Sequence, residues 1–169
     1  ILVRGIDGVS LSGWRDDGVN CVLSVPPAEA HALGLKTRTW FTLNLINPKS
    51  FGDDLEKVKA MAAVRADGSF LRPYDPLFPS VAAYWSACVN NPLWREHSAT
   101  VFRGMGEADW DGCHIDYASH YEPCFCAHCE ERWKAFAAAH GLAAMALREV
   151  PSDVRHGLVL REFRIRCVM

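Results

Sequence analysis

At 169 residues, half of them apolar and 22% charged, the chain is long enough to bury one ordinary core and has the composition of a folded globular protein. A formal charge of −2 without any dense Lys/Arg block gives no electrostatic footprint for nucleic acid, and no stretch approaches the unbroken apolar length of a membrane span. Neither is an expected partner. Ile1-Leu2-Val3-Arg4 is too short and too quickly charged for a signal-peptide core, so a cytoplasmic location is expected. Cys167 stands third from the end, one place too late for a prenylation box. The start on Ile1 and the helical run Glu162 to Cys167 without a stop signal read as cut ends, so 1–169 is expected to be one incomplete domain of a longer chain.

Asn20 to Val25 is a short β-rich run. Pro27 to Leu33, followed by Gly34, reads as a short helix with Pro at its start and Gly beyond its end. Thr37 to Leu45 is rich in β-formers, and the spacing suits a crossover between parallel strands, a βαβ unit. From Asn47 to Asn91 turn signals surround one helical patch at Asp54 to Val64. So long a connection with this many aromatics is expected to be a functional βα loop covering a site. Asn91-Pro92 opens a helix running to about Ala108, with Trp94, Val101, Phe102 and Met105 on one face. Asp111 to Tyr117 is the next strand, and a helix from about Ala127 to His140 buries Cys129, Trp133, Phe136 and Ala137 before Gly141 stops it. This alternation is that of an α/β protein.

Seven cysteines without a secretion signal argue against a disulfide framework. Cys124, Cys126 and Cys129 place three thiols within six residues at a helix entry, a setting that favours thiolates and metal coordination. A structural zinc takes four protein ligands. Cys88, at the end of the long connection, is the expected fourth, and His128 is the local competitor. Cys21 and Cys113 read as core thiols. The competing readings of the trio are unpaired loop thiols or a redox pair with a bystander.

Alternation along Asp111 to Tyr117 puts His114 and Asp116 on one face and Cys113 and Ile115 on the other. In a barrel the polar pair would face inward, and polar groups at C-terminal strand ends are where such folds place binding and catalytic residues. The bland alternative is a loop-capping Asp116 and a satisfied interior His114. Trp40, Tyr74, Tyr84, Trp85, Tyr117 and Tyr121 lie in or beside loops at the same end, as aromatic platforms for sugar rings or as packing; Trp40, Asn44, His114 and Tyr117 are the candidate substrate contacts.

Asn90-Asn91-Pro92-x-Trp94-Arg95-Glu96, Asp111-Gly112-x-His114-Ile115-Asp116 and Cys124-Phe125-Cys126-x-x-Cys129-x-x-x-Trp133, in that order, resemble a TIM-barrel family of hypothetical glycosyl hydrolases. That family is similar in turn to the β-galactosidases of glycoside hydrolase family 42. The resemblance covers roughly Ala87 to Phe136, more weakly Gly18 to Leu45. It implies the first half of a (β/α)8 barrel, zinc on Cys88, Cys124, Cys126 and Cys129, and a carbohydrate substrate. The family 42 enzymes carry their acid/base in an Ile-Asp-Asn-Glu strand end, whereas this chain has Ile115-Asp116-Tyr117-Ala118. The resemblance therefore leaves Asp116 as the candidate catalytic carboxylate.

The expected function is hydrolysis of O-glycosidic bonds. The second carboxylate of a retaining mechanism would come from a later strand, so the chain alone is expected to be inactive. The alternatives are a non-catalytic zinc-stabilised module binding sugar or protein, and a thiol redox protein. Homo-oligomerisation is left open.

Overall fold

The computed structural model describes residues 2–4, 10–73, 82–116, 123–142, 145–150 and 154–168. Two compact units emerge: Ile1–Thr42 with Ser98–Asp116, and Leu43–His97 with Tyr117–Met169.

The first unit is a parallel sheet. Strands β1 (Leu2–Arg4), β2 (Cys21–Leu23), β3 (Lys36–Thr42) and β6 (Gly112–Asp116) lie in the order β1-β2-β3-β6, every pair parallel. The βαβ expectation is met by β2, helix α2 (Pro27–His31) and β3. Gly34 ends α2 with φ 71°. Leu35 N–H donates to Ala30 O and Gly34 N–H to His31 O, a Schellman closure that only a left-handed residue completes without strain. Two elements were not read from the sequence: β1, and helix α1 (Leu11–Asp16), whose Ser10 side chain accepts the Gly13 N–H. Buried Trp14, Val22, Ala30 and Leu35 form the core between these helices and the sheet.

Register assigns the faces. Val22, Thr37, Phe41, Cys113 and Ile115 share one face, since parallel partners point the same way and alternate residues oppose. Helices cover it. Val22 and Thr37 are buried, and Phe102 of helix α4 (Pro92–Glu107) packs 4.8 Å from Phe41. Cys21, Arg38, Trp40, Thr42, His114 and Asp116 occupy the opposite face. Cys21 and Cys113, expected in the core, are half-buried: Cys21 is on the face opposite Val22 and Thr37, and Cys113 on the outermost strand of the described sheet.

In the second unit the long connection carries a 3₁₀ turn at Pro48–Phe51, helix α3 (Leu55–Met61, capped by Asp54) and the antiparallel pair β4 (Leu45–Ile46) and β5 (Trp85–Ser86). Backbone bonds from Ala63 to Ser86, Leu71 to Ala63 and Ala87 to Asn44 knit its described residues together. Helix α5 (Ala127–Ala139) and helix α6 (Val154–Val168) supply Cys129, Trp133, Phe136, Ala137, Phe163 and Cys167 to a core shared with Ala63, Leu71, Cys88 and Leu147. Trp133 is fully buried, its indole N–H donating to Met145 O at 2.7 Å. No helix among the described residues is long and apolar enough to cross a membrane.

Candidate metal centre and strand-end site

Two backbone devices deliver the sulfurs. Cys88 N–H donates to Met61 O at the end of α3, and Asn91 N–H closes a turn onto Cys88 O. On the other side Phe125 N–H donates to Val64 O, and the first turn of α5 is anchored by Cys129 and Glu130 N–H groups on Cys126 O. The result is a four-sulfur cluster. The Sγ atoms of Cys88, Cys124, Cys126 and Cys129 all lie within 4.8 Å of one another, with Cys88 at 3.4 Å from Cys126 and 3.5 Å from Cys129. All seven cysteines are free thiols. His128 is exposed on α5, outside the cluster, so the fourth donor is Cys88.

The electrostatics of the cluster are those of a cation site. Hydrogen bonding from Cys124, Cys129 and Cys88 pulls the Cys126 thiol down. Cys124 is also lowered, whereas Cys88 and Cys129 move the other way. Cys88 is pushed well up, first by its hydrogen bond with Cys124, then by those with Cys126 and Cys129 and by burial. Cys129 also rises, chiefly through Cys124 and Cys126. Thiolates this close repel, and burial removes the water that would screen them, so only a positive ion lets all four ionise together. These four residues can hold a metal ion.

Sulfur is also met by hydrogen-bond donors. Val64 N–H points at Cys124 Sγ (3.4 Å), and Asn90 Nδ2 lies 3.2 Å from Cys129 Sγ and 3.1 Å from Cys167 Sγ. The reading from sequence missed Asn90 and Cys167. Asn90 had been quoted only as part of a motif, and 77 positions separate it from Cys167.

The strand-end residues belong to the first unit. Trp40 and His114 are register partners on the face opposite Phe41, their rings tilted at 49° with centroids 4.9 Å apart. Asp116 is the last residue of β6, paired with Thr42, on the same face as His114 and half-buried. Just past β2, Ser24 adopts φ 63°, a left-handed turn at the same end of the sheet that its sequence did not announce. Asn44 lies in the second unit, only 5% exposed, its carbonyl accepting Ala87 N–H. Tyr117, Tyr74 and Tyr121 lie outside the described residues. Trp85 is packing rather than platform: it is buried, with the Arg72 guanidinium 3.7 Å over its ring and Phe70 at its edge.

No protein-family model matches the chain, and no curated protein matches it in sequence. Among solved structures it is similar to the glycoside hydrolase domain of PelA from Pseudomonas aeruginosa, with 11% identity over 85% of this chain and 55% of that one, at a TM-score of 0.49. A variant of that domain gives 11% identity, 85% and 54% coverage and a TM-score of 0.47. The alpha-L-fucosidase isoenzyme 2 from Paenibacillus thiaminolyticus gives 17% identity, 83% and 19% coverage and a TM-score of 0.45. The chain thus spans about half the length of the PelA domain and about a fifth of the fucosidase.

Proposed function

We propose that the chain is the first half of a (β/α)8 barrel from a carbohydrate-active protein of the glycoside-hydrolase type, with a structural zinc ion on Cys88, Cys124, Cys126 and Cys129. Four parallel strands in sequential order, with α1, α2 and α4 contributing to the packing on the Val22–Phe41 face, accord with half a barrel; a doubly wound sheet reverses its order once. Under this reading 1–169 is one incomplete domain and the second unit elaborates the connections after β3 and β6.

The observation that carries the functional reading is the polar face of the sheet opposite Val22, Thr37 and Phe41. In a barrel it becomes the interior, and it places Asp116 at a C-terminal strand end beside the Trp40–His114 pair. Asp116 would donate the proton to the leaving glycosidic oxygen, Trp40 would stack on a sugar ring, and His114 would bond its hydroxyls. Hydrolysis of β-galactoside-like bonds needs a second carboxylate from a later strand. The missing Glu after Ile115-Asp116 favours the alternative, a sugar- or protein-binding module without catalysis.

The donor set suits zinc. A Zn–S length of about 2.3 Å in a tetrahedron sets sulfurs roughly 3.8 Å apart, inside the observed spread, and four thiolates leave no open position for a reacting water. When bound, the ion would supply structure, not chemistry. A cytoplasmic setting, which keeps thiols reduced, belongs with this reading.

The test of the carbohydrate reading is titration of the chain with β-galactosides and other oligosaccharides, followed by tryptophan fluorescence and calorimetry. Saturable binding lost in Trp40→Ala is expected. No saturation with any sugar would remove the reading. Turnover abolished by Asp116→Asn in the chain extended through a whole barrel assigns the hydrolase, and binding without turnover there assigns the module.

A further inference from the structure

Asn90 follows Cys88 by two residues in the turn closed by Asn91 N–H on Cys88 O, which turns its side chain back toward the sulfurs. Its amide has two ends, and Arg132 of α5 decides between them. A guanidinium carries donors only, so the end that meets Arg132 Nη1 at 3.1 Å must be the carbonyl oxygen Oδ1. That leaves Nδ2, with two hydrogens, against two sulfurs: Cys129 Sγ at 3.2 Å and Cys167 Sγ at 3.1 Å. Arg132 is itself held, its Nη2 donating to Arg166 O in the last turn of α6 at 2.9 Å.

We propose that Asn90, aimed by Arg132, is a positioning residue of the thiolate centre: it donates an outer-sphere hydrogen bond to the metal ligand Cys129 and, through Cys167, ties the end of α6 to that centre. The inference rests on the metal reading above and deepens it. Four thiolates around a divalent ion leave two surplus negative charges, and an N–H aimed at a ligand sulfur disperses part of that charge and fixes the sulfur's lone pairs. Val64 N–H performs the same task for Cys124 from the backbone. Asn90 does it for Cys129 from a side chain, which makes its contribution open to mutation.

The discriminating variant is Asn90→Asp. It keeps the side chain's size and offers Arg132 an acceptor, yet removes both hydrogens and sets a carboxylate against a thiolate. Co2+ uptake by the whole chain is followed through the thiolate-to-cobalt charge-transfer absorption, and Zn2+ release through a chromophoric chelator. Asn90→Asp should bind about 10- to 100-fold more weakly and release faster, with a shifted charge-transfer band. Asn90→Ala should match it in direction. If Asn90→Asp fails to fold, Arg132→Gln, which lets the amide turn, is measured instead, and weaker loading by a smaller factor is expected. Parent-like affinity and spectrum in whichever folded variant is measured overturn the proposal while leaving the metal site intact. A parent chain that takes up no cobalt overturns the metal reading itself, and this inference with it.

Discussion

Asp111, at the entry to β6, binds its partners from both ends. Its N–H donates to Thr37 O, and its carboxylate accepts Thr37 N–H at 2.8 Å and the His31 Nε2–H at 2.9 Å. These bonds hold its carboxyl below the ordinary carboxylate range, that from His31 first. A lowered folded pKa means stabilisation complete above the unfolded value of about 3.9 and lost as pH falls through the folded one. Asp111→Asn should therefore melt earlier than the parent near pH 7, with the gap narrowing as pH falls below the unfolded value. A gap of equal size above and below that value, read by calorimetry, would sink this account. None of it was legible beforehand, because the partners lie 74 and 80 positions away. Gly34 and Gly141 were legible as helix stops, since capping is written within six consecutive residues: Leu142 N–H donates to Ala137 O and Gly141 N–H to Ala138 O, with φ 72° at Gly141. Nothing crowds the space a Cβ would fill at Gly141, so Gly141→Ala carries only the backbone cost, about 1 kcal/mol in denaturant unfolding. No measurable change would place the end of α5 outside this closure.

Among the elements, α4 and α5 were read within a residue or two of their observed bounds, because each combines an apolar face with local caps. The three-residue β1 and the two-residue β4 and β5 were not read, since so short a strand carries too few positions for its period to register. Strand β6 shows the limit of pattern from the other side. Its alternation was correct, yet Ile115 is 48% exposed on the helix-covered face, so which face is covered came only from register with β3. Helix α5 is where the second unit concentrates its packing. Trp133 meets Phe163 edge-on at 5.2 Å and Phe136 at 5.7 Å while bonding Met145 O. Trp133→Ala should cost about 3–5 kcal/mol in urea unfolding, since it opens a large cavity and leaves that carbonyl unpaired. A cost below about 1 kcal/mol would show that Trp133 is not central to this core.

For the whole molecule, the α/β alternation and the four-thiol set were legible because strand-helix order and Cys-x-Cys-x-x-Cys spacing are sequential signals. The division into two units was not, because the chain leaves the first unit after Thr42 and returns to it at Ser98, and only three-dimensional contacts reveal that excursion. The division has a measurable consequence. All four sulfurs belong to the second unit, so a bound ion stabilises that unit's fold by RT ln(1 + [metal]/Kd), about 2.7 kcal/mol at a hundredfold excess over Kd. A bound ion would tie Cys126 and Cys129 in the first turn of α5 to Cys88, a link that its removal would break. Stripping metal with a chelator should therefore raise amide exchange across 82–97 and 123–142, with α5 losing protection most. The ladder of β2, β3 and β6 should exchange as before, since its core of Trp14, Val22, Ala30 and Leu35 contains no ligand. Equal loss of protection in both ladder and second unit would contradict the local role given to the ion. Unchanged exchange throughout, on a chain shown to have lost its metal, would mean that packing around Trp133 alone holds the four thiols in place.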